Sequence, residues 1–454
     1  MVIQVPVTTE VLNQNEDLQP SGKAEDQKLI IEFDTRRRNH HQLLGLKRKT
    51  KINWINERCF EVQELSAFAW PILYRVTTAD GYYHNEQGER VYFTPEIAGL
   101  STKRKVSDVV VRLGVYLCVI AGLGTRATAL LMKTLFQVEV SKSAIDRWID
   151  EIAASLPSAD EMVKLLHQQK PITSGHLDEL FPRGSDACVL VLKDEHGRIL
   201  ITQAVKKRDE EHVKPFLERI KKLGLELQTF YTDHWQAYAN AIKAVFPRAH
   251  LQLDYFHILQ NIWRKVMDEF RRHRRDLKER GEAAQTAQYA EKLKRMAAEL
   301  WKSRYTFFKS DQNLTDKEKE LMQKVLQTQP EVSYLRGFLQ KVWGIFNGPT
   351  TAQEAQLKLM ELKQYAQFHA NDGYTKSITF LEENFENMTT FLRVPGVQRN
   401  SLAETGMRVL RRLEQNHDGF RTEKGRENAI RIYQAVTYFG WTIHNPPKLT
   451  DSSS

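Results

Sequence analysis

Hydrophobic periodicity separates a central block of short strands and helices from a long helical block that follows it. Within residues 171–260, strand-like apolar runs read "SGHLDEL" (174–180), "ACVLVLK", "RILITQAV", "LQTFYTD" and "HLQLDYF". Between them, "RDEEHVKPFLERIKKLG" predicts a helix capped by Asp209 and stopped at Gly224, and "WQAYANAIKAVF" predicts a second helix. The predicted order is β-β-β-α-β-α-β, in which three meander strands are followed by crossovers that build a mixed sheet.

Strand signals vanish after this block. Residues 261–395 read as successive charged helices, so we expect a long helical insertion there. Trp263, Trp301 and Trp343 are expected in its core, the alternative being a stacking wedge for a nucleobase. Residues 396–445 then predict a helix from Ser401, "LAETGMRVLRRLEQ", a loop, and a last helix "AIRIYQAVTYFGW".

The N-terminal third predicts two smaller regions. Residues 1–95 read as a basic arm, loose over 1–30, and a small module with strands "WPILYRV" and "ERVYFT" around a "DG" turn. Residues 96–160 predict a helix near 125–135, a break at "FQVEV", and a helix capped by Ser141. This pair resembles a DNA-binding helix-turn-helix, although any small helical hairpin gives the same pattern. Its second helix would present these side chains outward: Lys142, Ser143, Asp146 and Arg147.

Charge and cysteine content narrow the class of protein. The net charge of +9 and the pI near 9.2 favour an acidic partner such as nucleic acid. Residues 35–51 hold seven Lys/Arg and no acid, which indicates either a DNA contact or a solvated surface run. The three cysteines form no CxxC pair, so a zinc ribbon or a disulfide framework is not expected. No signal peptide or membrane span is predicted, so we expect a cytoplasmic protein.

Three acids occupy informative places in the predicted sheet. The strand and helix order resembles an RNase H-like domain, in which two-metal phosphodiester chemistry needs acids on the first strand, at the end of the fourth strand and on a late helix. Asp178, Asp233 and Glu404 occupy those places. Mg²⁺ prefers oxygen ligands, and two ions about 3.5–4 Å apart activate an attacking oxygen and stabilise the leaving one. Glu179 points to the other face of its strand, so we expect it to be structural or to support the site from behind.

The same residues resemble the bacterial insertion-sequence transposases with a DDE triad. The resemblance rests on "HLDEL", "FYTDHWQAY", "LQLDYFHILQNI", "RNSLAETGMRVLRR" and "RENAIRIYQAVTYFGW". It implies that Asp178, Asp233 and Glu404 are the catalytic and metal-binding triad, with two Mg²⁺ (or Mn²⁺) and no nucleotide cofactor. Glu414 and Glu427 are rivals for the third acid, but the context Asn400-Ser401-x-x-Glu404 favours Glu404.

The resemblance also implies partners and a place in the cell. It predicts binding to transposon ends and target DNA, a homo-oligomer on DNA, no membrane partner, and a nucleoid-associated cytoplasmic location. Related proteins often carry an N-terminal zinc-binding element, whose cysteines this chain lacks. End recognition would then come from the helix-turn-helix and the basic arm, or be missing.

Five further residues flank the three acids. Asp254 and His257 match a family signature beside the active site, but Asp254 could equally cap the next helix and His257 could be an ordinary core residue. Phosphate binding is expected on the face of the Glu404 helix from Arg408, Arg411 and Arg412. Two other functions stay open: a catalytically inactive, transposase-derived DNA-binding protein, and a structure-selective RNase H-like nuclease.

Overall fold

The chain folds into two compact units, each with its own sheet. The computed structural model describes residues 21–25, 28–67, 70–95, 97–100, 104–182, 188–369, 372–399, 403–416 and 422–443. One unit comprises Met1–Leu166, Phe181–Asp186 and Arg408–Ser454, and the other His167–Leu180 and Ala187–Met407. The predicted mixed α/β class is confirmed, since each unit combines a mixed sheet with helices.

The first unit contains a five-stranded mixed sheet. Its strands are β1 (Ser21–Glu25), β2 (Lys28–Asp34), β3 (Asn53–Ala67), β4 (Trp70–His84) and β5 (Arg90–Phe93), and a short helix α1 (His40–Leu43) follows β2. The order is β1-β2-β4-β3, with β5 also paired to β4; β2 and β4 are parallel and the other pairs antiparallel. Alternate apolar residues of these strands, among them Phe33, Val62 and Tyr74, form a buried cluster.

Two predictions for this region are wrong. Ser21–Glu25 and Lys28–Asp34 are paired strands instead of a loose arm, while residues 1–20 lie outside the described part of the chain. The "DG" dipeptide lies inside β4. Its glycine makes room for the neighbouring strand, since a Cβ at Gly81 would stand 2.4 Å from the ring of Phe93. The turn falls instead at 85–88, where Gly88 adopts a φ of 80°.

The first unit contains α2 (Asp108–Val119), α3 (Thr125–Phe136), α4 (Lys142–Ala154) and most of α5 (Ala159–Gln169), of which α3 and α4 are the predicted pair. The last two helices of the chain are α14 (Ala403–Asn416), whose residues 403–407 belong to the second unit, and α15 (Glu423–Phe439). The Oγ of Ser141 accepts the N–H of Ala144 at 3.1 Å, so the predicted cap of α4 is confirmed. Ile145 and Trp148 are buried behind it. Helix α15 begins six residues earlier than predicted, at Glu423.

The second unit contains the sheet that the periodicity predicts. Strands β6 (Ser174–Leu180), β7 (Cys188–Lys193), β8 (Ile199–Val205), β9 (Thr229–Thr232) and β10 (His250–Leu253) alternate with α6 (Glu210–Lys222) and α7 (Gln236–Val245) in the expected sequence. The spatial order is β10-β9-β6-β7-β8, in which β6, β7 and β8 form an antiparallel meander and β9 is parallel to both β6 and β10.

Helices make up the rest of this unit, as expected. They are α8 (Tyr255–Glu282), α9 (Ala287–Ser303), α10 (Asp316–Thr328), α11 (Pro330–Phe346), α12 (Ala352–Phe368) and α13 (Asp372–Met388). Their apolar faces share one core, in which Trp343 is buried and against which Trp263 and Trp301 pack, so these tryptophans lie where the core interpretation places them. Within the described residues, every helix is too short or too polar to traverse a lipid bilayer.

Candidate active site

The candidate site lies on the second sheet, where β6 and β9 run side by side. The two strands are paired in parallel from Ser174 opposite Thr229 to His176 opposite Tyr231. The rings of His176 and Tyr231 stack on one face, with centroids 4.3 Å apart and planes within 4° of parallel. Because side chains alternate along a strand, Asp178 shares the face of His176. Asp233 follows Tyr231 by the same two residues, so both acids come at the same edge of the paired region.

Asp178 is held on two sides and open on a third. Its Oδ2 accepts a hydrogen bond at 3.0 Å from the Nζ of Lys193, a side chain with no exposed surface at the end of β7. Its Oδ1 accepts the backbone N–H of Glu179 at 2.8 Å. The Asp178 side chain nevertheless keeps 24% of its surface exposed, so it remains open to a further ligand.

Asp233 is the most perturbed acid of the site. Its Oδ1 is buried and has no hydrogen-bond partner within the part of the chain that the structure describes, and its Oδ2 lies 3.9 Å from a guanidinium nitrogen of Arg208. Burial raises the pKa of Asp233 to about 7, helped by the charges of Glu179 and Asp178 and opposed by those of His257 and Arg208. An ionised carboxylate in this position therefore needs additional positive charge.

Glu179 supports the site from the opposite face of β6. One of its carboxylate oxygens accepts a hydrogen bond from Arg208, and the other accepts the hydroxyl of Tyr238 at 2.6 Å. Arg208 is fixed in turn by Trp235, whose ring lies 4.2 Å from the guanidinium and whose Nε1–H donates to the Arg208 carbonyl at 2.8 Å. Glu179 is thus connected through Arg208 to the carboxylate of Asp233.

Asp254 and His257 lie at the end of β10 and the start of α8. Asp254 is the N-cap of α8, with its Oδ1 accepting the N–H of Phe256 at 2.8 Å, so the capping interpretation describes its geometry. Its own backbone N–H donates to the carbonyl of Thr232, next to Asp233. His257 is half-buried, and its charge would lower the pKa of Asp233. A direct role of either residue in the reaction stays a prediction.

Glu404 lies in the first turn of α14, as predicted from the sequence, but its side chain, like Asn400 and Ser401, lies outside the described residues. Two residues further along α14, Gly406 packs against the β7–β8 hairpin. A Cβ there would stand 2.6 Å from the carbonyl oxygen of Gly197 and 2.9 Å from the Cδ of Lys193. The helix that carries Glu404 therefore touches the residue that holds Asp178.

The other predicted residues belong to the first unit. On α4, Ser143 and Arg147 are exposed and Lys142 is partly exposed, and on α14 Arg408, Arg411 and Arg412 are exposed. Of the rival acids, Glu427 is exposed, whereas Glu414 is buried and its Oε1 lies 2.5 Å from the Nε of Arg426. The ion pair gives Glu414 a structural role, and Glu404 as the third acid stays a prediction.

A second acidic group occurs at the start of α6. Among the described side chains, Asp209, Glu211 and His212 offer ligand atoms that all lie within 4.8 Å of one another. Asp209 is the N-cap of α6 and accepts hydrogen bonds from the backbone and the ring of His212. Helix capping accounts for this arrangement, and Asp209 is confirmed as the predicted cap.

The chemistry of the Asp178–Asp233 site fits a divalent cation. A buried carboxylate oxygen without a partner costs roughly 1–3 kcal/mol or more, and among the described residues the Oδ1 of Asp233 is such an oxygen. Mg²⁺ takes oxygen ligands and is typically bound by one or two carboxylates together with substrate phosphates. The donor set and the need of Asp233 for positive charge therefore agree with the predicted ligand type.

Sequence reasoning did not identify two basic residues of this site. Lys193 precedes the "DEHG" turn and Arg208 lies in the run "KKRDEE", and the sequence pattern assigns neither residue a role. Pairing the predicted hairpin would have revealed Lys193, because it lies opposite His176 and diagonal to Asp178. No local signal points to Arg208.

The fold and site together define a mixed α/β protein with acids on two neighbouring interior strands, just beyond the point where their parallel pairing ends. The chain belongs to a transposase family: the family model of ISL3-type DDE transposases, described as "Transposase", matches residues 177–424, more than half of the chain. The predicted membership of a transposase family is confirmed, and it implies an enzyme of DNA transposition.

Comparisons with individual proteins give a solved structure of low similarity and no curated relative. The chain is similar to a solved structure of the "Drosophila P element transposase strand transfer complex", with 11% sequence identity, 78% of this chain and 94% of that chain covered, and a TM-score of 0.38. A likeness at this TM-score carries no argument about this protein's fold or function. A comparison with curated proteins finds no significant match.

Proposed function

We propose that the protein is a DNA transposase whose second sheet is an RNase H-like core, with Asp178, Asp233 and Glu404 as its catalytic triad. The observation that carries the proposal is the buried Oδ1 of Asp233, which has no hydrogen-bond partner among the described residues. Asp233 follows the strand that pairs in parallel with the strand of Asp178, inside the region matched by the transposase family. The meander of β6–β8 followed by the parallel strands β9 and β10 supports the RNase H-like assignment.

The triad would hold two Mg²⁺ or Mn²⁺ ions. Bound there, they would polarise the phosphodiester and stabilise the charge on the attacking and leaving oxygens. Water attacks a phosphodiester at an element end and releases a 3′-hydroxyl, which then attacks a phosphodiester of the target DNA. Each step exchanges one P–O bond for another, so no covalent intermediate with the protein is needed.

The surrounding residues position the acids. Lys193 fixes one oxygen of Asp178, while Arg208, itself held by Glu179 and Trp235, lies against Asp233. Neither basic side chain carries a group that must react. Their contribution is orientation of the two carboxylates before DNA arrives, which lowers the reorganisation that the reaction requires.

DNA would be bound by basic and helical parts of the chain. We assign recognition of the element ends to α3 and α4, through Lys142, Ser143 and Arg147, with the basic segment 35–51 as a phosphate contact. Arg408, Arg411 and Arg412 are exposed on α14 and would bind phosphates as well. Because two ends are cut together, we assign at least a dimer to the DNA-bound state.

Cleavage and strand transfer on element-end DNA test this proposal. The substrate is a duplex that carries the inverted repeats flanking the gene, incubated with Mg²⁺ or Mn²⁺ and a target plasmid. The wild type is expected to nick the end and to join it to the target, and Asp233→Asn is expected to lose both activities but to keep DNA binding. Glu427→Gln, which alters an exposed acid, serves as the matched control.

The alternative functions predict other results. An inactive DNA-binding protein would bind the ends in every variant and cut in none. A structure-selective nuclease would cut branched or hybrid substrates and give no joined product. Either result would overturn the proposal, and so would full activity of the Asp233→Asn variant.

A further inference from the structure

Lys193 places a fixed positive charge inside the candidate metal site. Its side chain has no exposed surface, and its Nζ lies 3.0 Å from the Oδ2 of Asp178. Lysine is almost never fully buried unless it is paired, and the half-open partner here is an acid that we assign as a metal ligand. Asp178 keeps 24% of its side-chain surface exposed, so a further cation can reach the acid from the side away from Lys193.

The amine of Lys193 has little freedom to move away. Lys193 is the last residue of β7, whose neighbours on the sheet are β6 and β8. Gly406 of α14 comes so close to its stem that even a methyl group would stand 2.9 Å from the Lys193 Cδ. Packing of the buried stem therefore restricts the positions that the ammonium group can take away from Asp178.

A divalent ion at Asp178 must share the carboxylate with this ammonium group. Both oxygens of Asp178 already accept a hydrogen bond, one from Lys193 and one from the backbone of Glu179. Two cations on one carboxylate repel each other, and the repulsion is weakly screened in a partly buried site. The phosphate of bound DNA supplies the negative charge that offsets it.

We propose that Lys193 is a positioning residue that weakens divalent-ion binding to the DNA-free protein and thereby makes tight metal binding depend on DNA. The inference rests on the proposed metal site at Asp178. Binding of DNA and of metal are then positively coupled, and by linkage each ligand raises the affinity for the other by the same factor.

Binding of Mn²⁺, measured by electron paramagnetic resonance of the free ion, tests the inference without any reaction. DNA-free Lys193→Met is expected to bind Mn²⁺ roughly 10–100-fold more tightly than the wild type, the range over which groups adjoining metal ligands tune affinity. Adding element-end DNA is expected to reduce the difference in Mn²⁺ affinity between Lys193→Met and the wild type, since the DNA phosphate already offsets the lysine charge in the wild type. Lys221→Met, which removes an exposed lysine of the same unit, is expected to leave Mn²⁺ affinity unchanged.

The outcomes separate this inference from the proposed function. If Lys193→Met binds Mn²⁺ with unchanged or weaker affinity, Lys193 only supports Asp178 structurally and the inference is overturned. If Asp178→Asn binds Mn²⁺ as the wild type does, the metal site itself is wrong and the inference falls with it. Lys193→Gln also removes the charge but keeps a hydrogen-bond donor. It is expected to show the same increase in Mn²⁺ affinity and replaces the methionine variant if that variant does not fold.

Discussion

The ion pair Asp178–Lys193 in the second unit and the pair Glu414–Arg426 in the first have similar chemistry and different exposure. The side chains of Glu414 and Arg426 are 10% and 9% exposed, so both ends of that pair are closed. In the other pair Lys193 is fully buried while Asp178 is 24% exposed. A closed pair holds two helices together, whereas a pair that is open at its acid can accept another cation.

Loss of the acid from each pair should separate their roles most strongly. Asp178→Asn is expected to slow DNA cleavage roughly 1,000-fold, because a metal site contributes several kcal/mol to the transition state and about 1.4 kcal/mol is tenfold in rate. Glu414→Gln is expected to leave the cleavage rate of the folded protein unchanged. Single-turnover nicking of end DNA, normalised to the folded fraction, measures both. Equal losses in the two variants would remove the functional distinction between the pairs.

Loss of the base should destabilise the protein more in the Glu414–Arg426 pair than in the Asp178–Lys193 pair. Arg426→Met leaves Glu414 as a buried charge without its counter-ion and is expected to lower the free energy of unfolding by ~3–5 kcal/mol. Lys193→Met leaves an acid that water can reach, so a loss below ~1.5 kcal/mol is expected. Urea unfolding followed by circular dichroism gives both values. A larger loss in Lys193→Met than in Arg426→Met would show that the second pair is the structural one.

The packing that closes the Lys193 side can be tested with two helical glycines. Gly406→Ala is expected to cost ~1–3 kcal/mol, because the new Cβ meets the Gly197 carbonyl and the stem of Lys193. Gly344→Ala in α11 has nothing within 4 Å and is expected to gain ~0.5–1 kcal/mol from helix propensity. Thermal unfolding gives the change in stability of the two variants. A stabilising Gly406→Ala would mean that α14 does not pack closely against the β7–β8 hairpin.

The last effect expected is a pH dependence at His176, which lies beside the Lys193 pair. Burial lowers the pKa of His176 to about 3, with the charge of Lys193 acting in the same direction and that of Asp178 opposing. The folded pKa is below the usual 6.5, so the stability contribution is complete above pH 6.5 and is lost as the pH falls. Between pH 7.5 and 5.5 the wild type should lose about 1.4 kcal/mol at this residue.

His176→Phe keeps a ring against Tyr231 and removes the titration. Its free energy of unfolding is therefore expected to fall less than that of the wild type over the same pH interval, in metal-free buffer. Parallel pH profiles of the two proteins would mean that His176 accepts a proton in the folded state as easily as in the unfolded chain.

Sequence reasoning succeeded where local pattern determines structure. The strands and helices of residues 174–253 follow from apolar runs bounded by caps and turns. The register of β6 on β9 pairs His176 with Tyr231, so Asp178 and Asp233 both come two residues beyond the end of this pairing. Sequence reasoning failed where a residue distant in sequence determines the local structure. The "DG" pair lies within a strand, where the Phe93 ring of the neighbouring strand packs over Gly81. Lys193 is buried because Asp178, 15 residues earlier on the neighbouring strand, supplies its acid.

The contact between Gly406 and the β7–β8 hairpin has a consequence for synthesis of the protein. The hairpin leaves the ribosome about 210 residues before α14 does, which at about 5–20 residues per second is a delay of about 10–40 seconds. During that time the stem of Lys193 lacks the cover of Gly406, and Glu404 has not been made. On the proposed triad, a nascent chain is therefore inactive towards DNA until α14 has been translated and has packed on the hairpin.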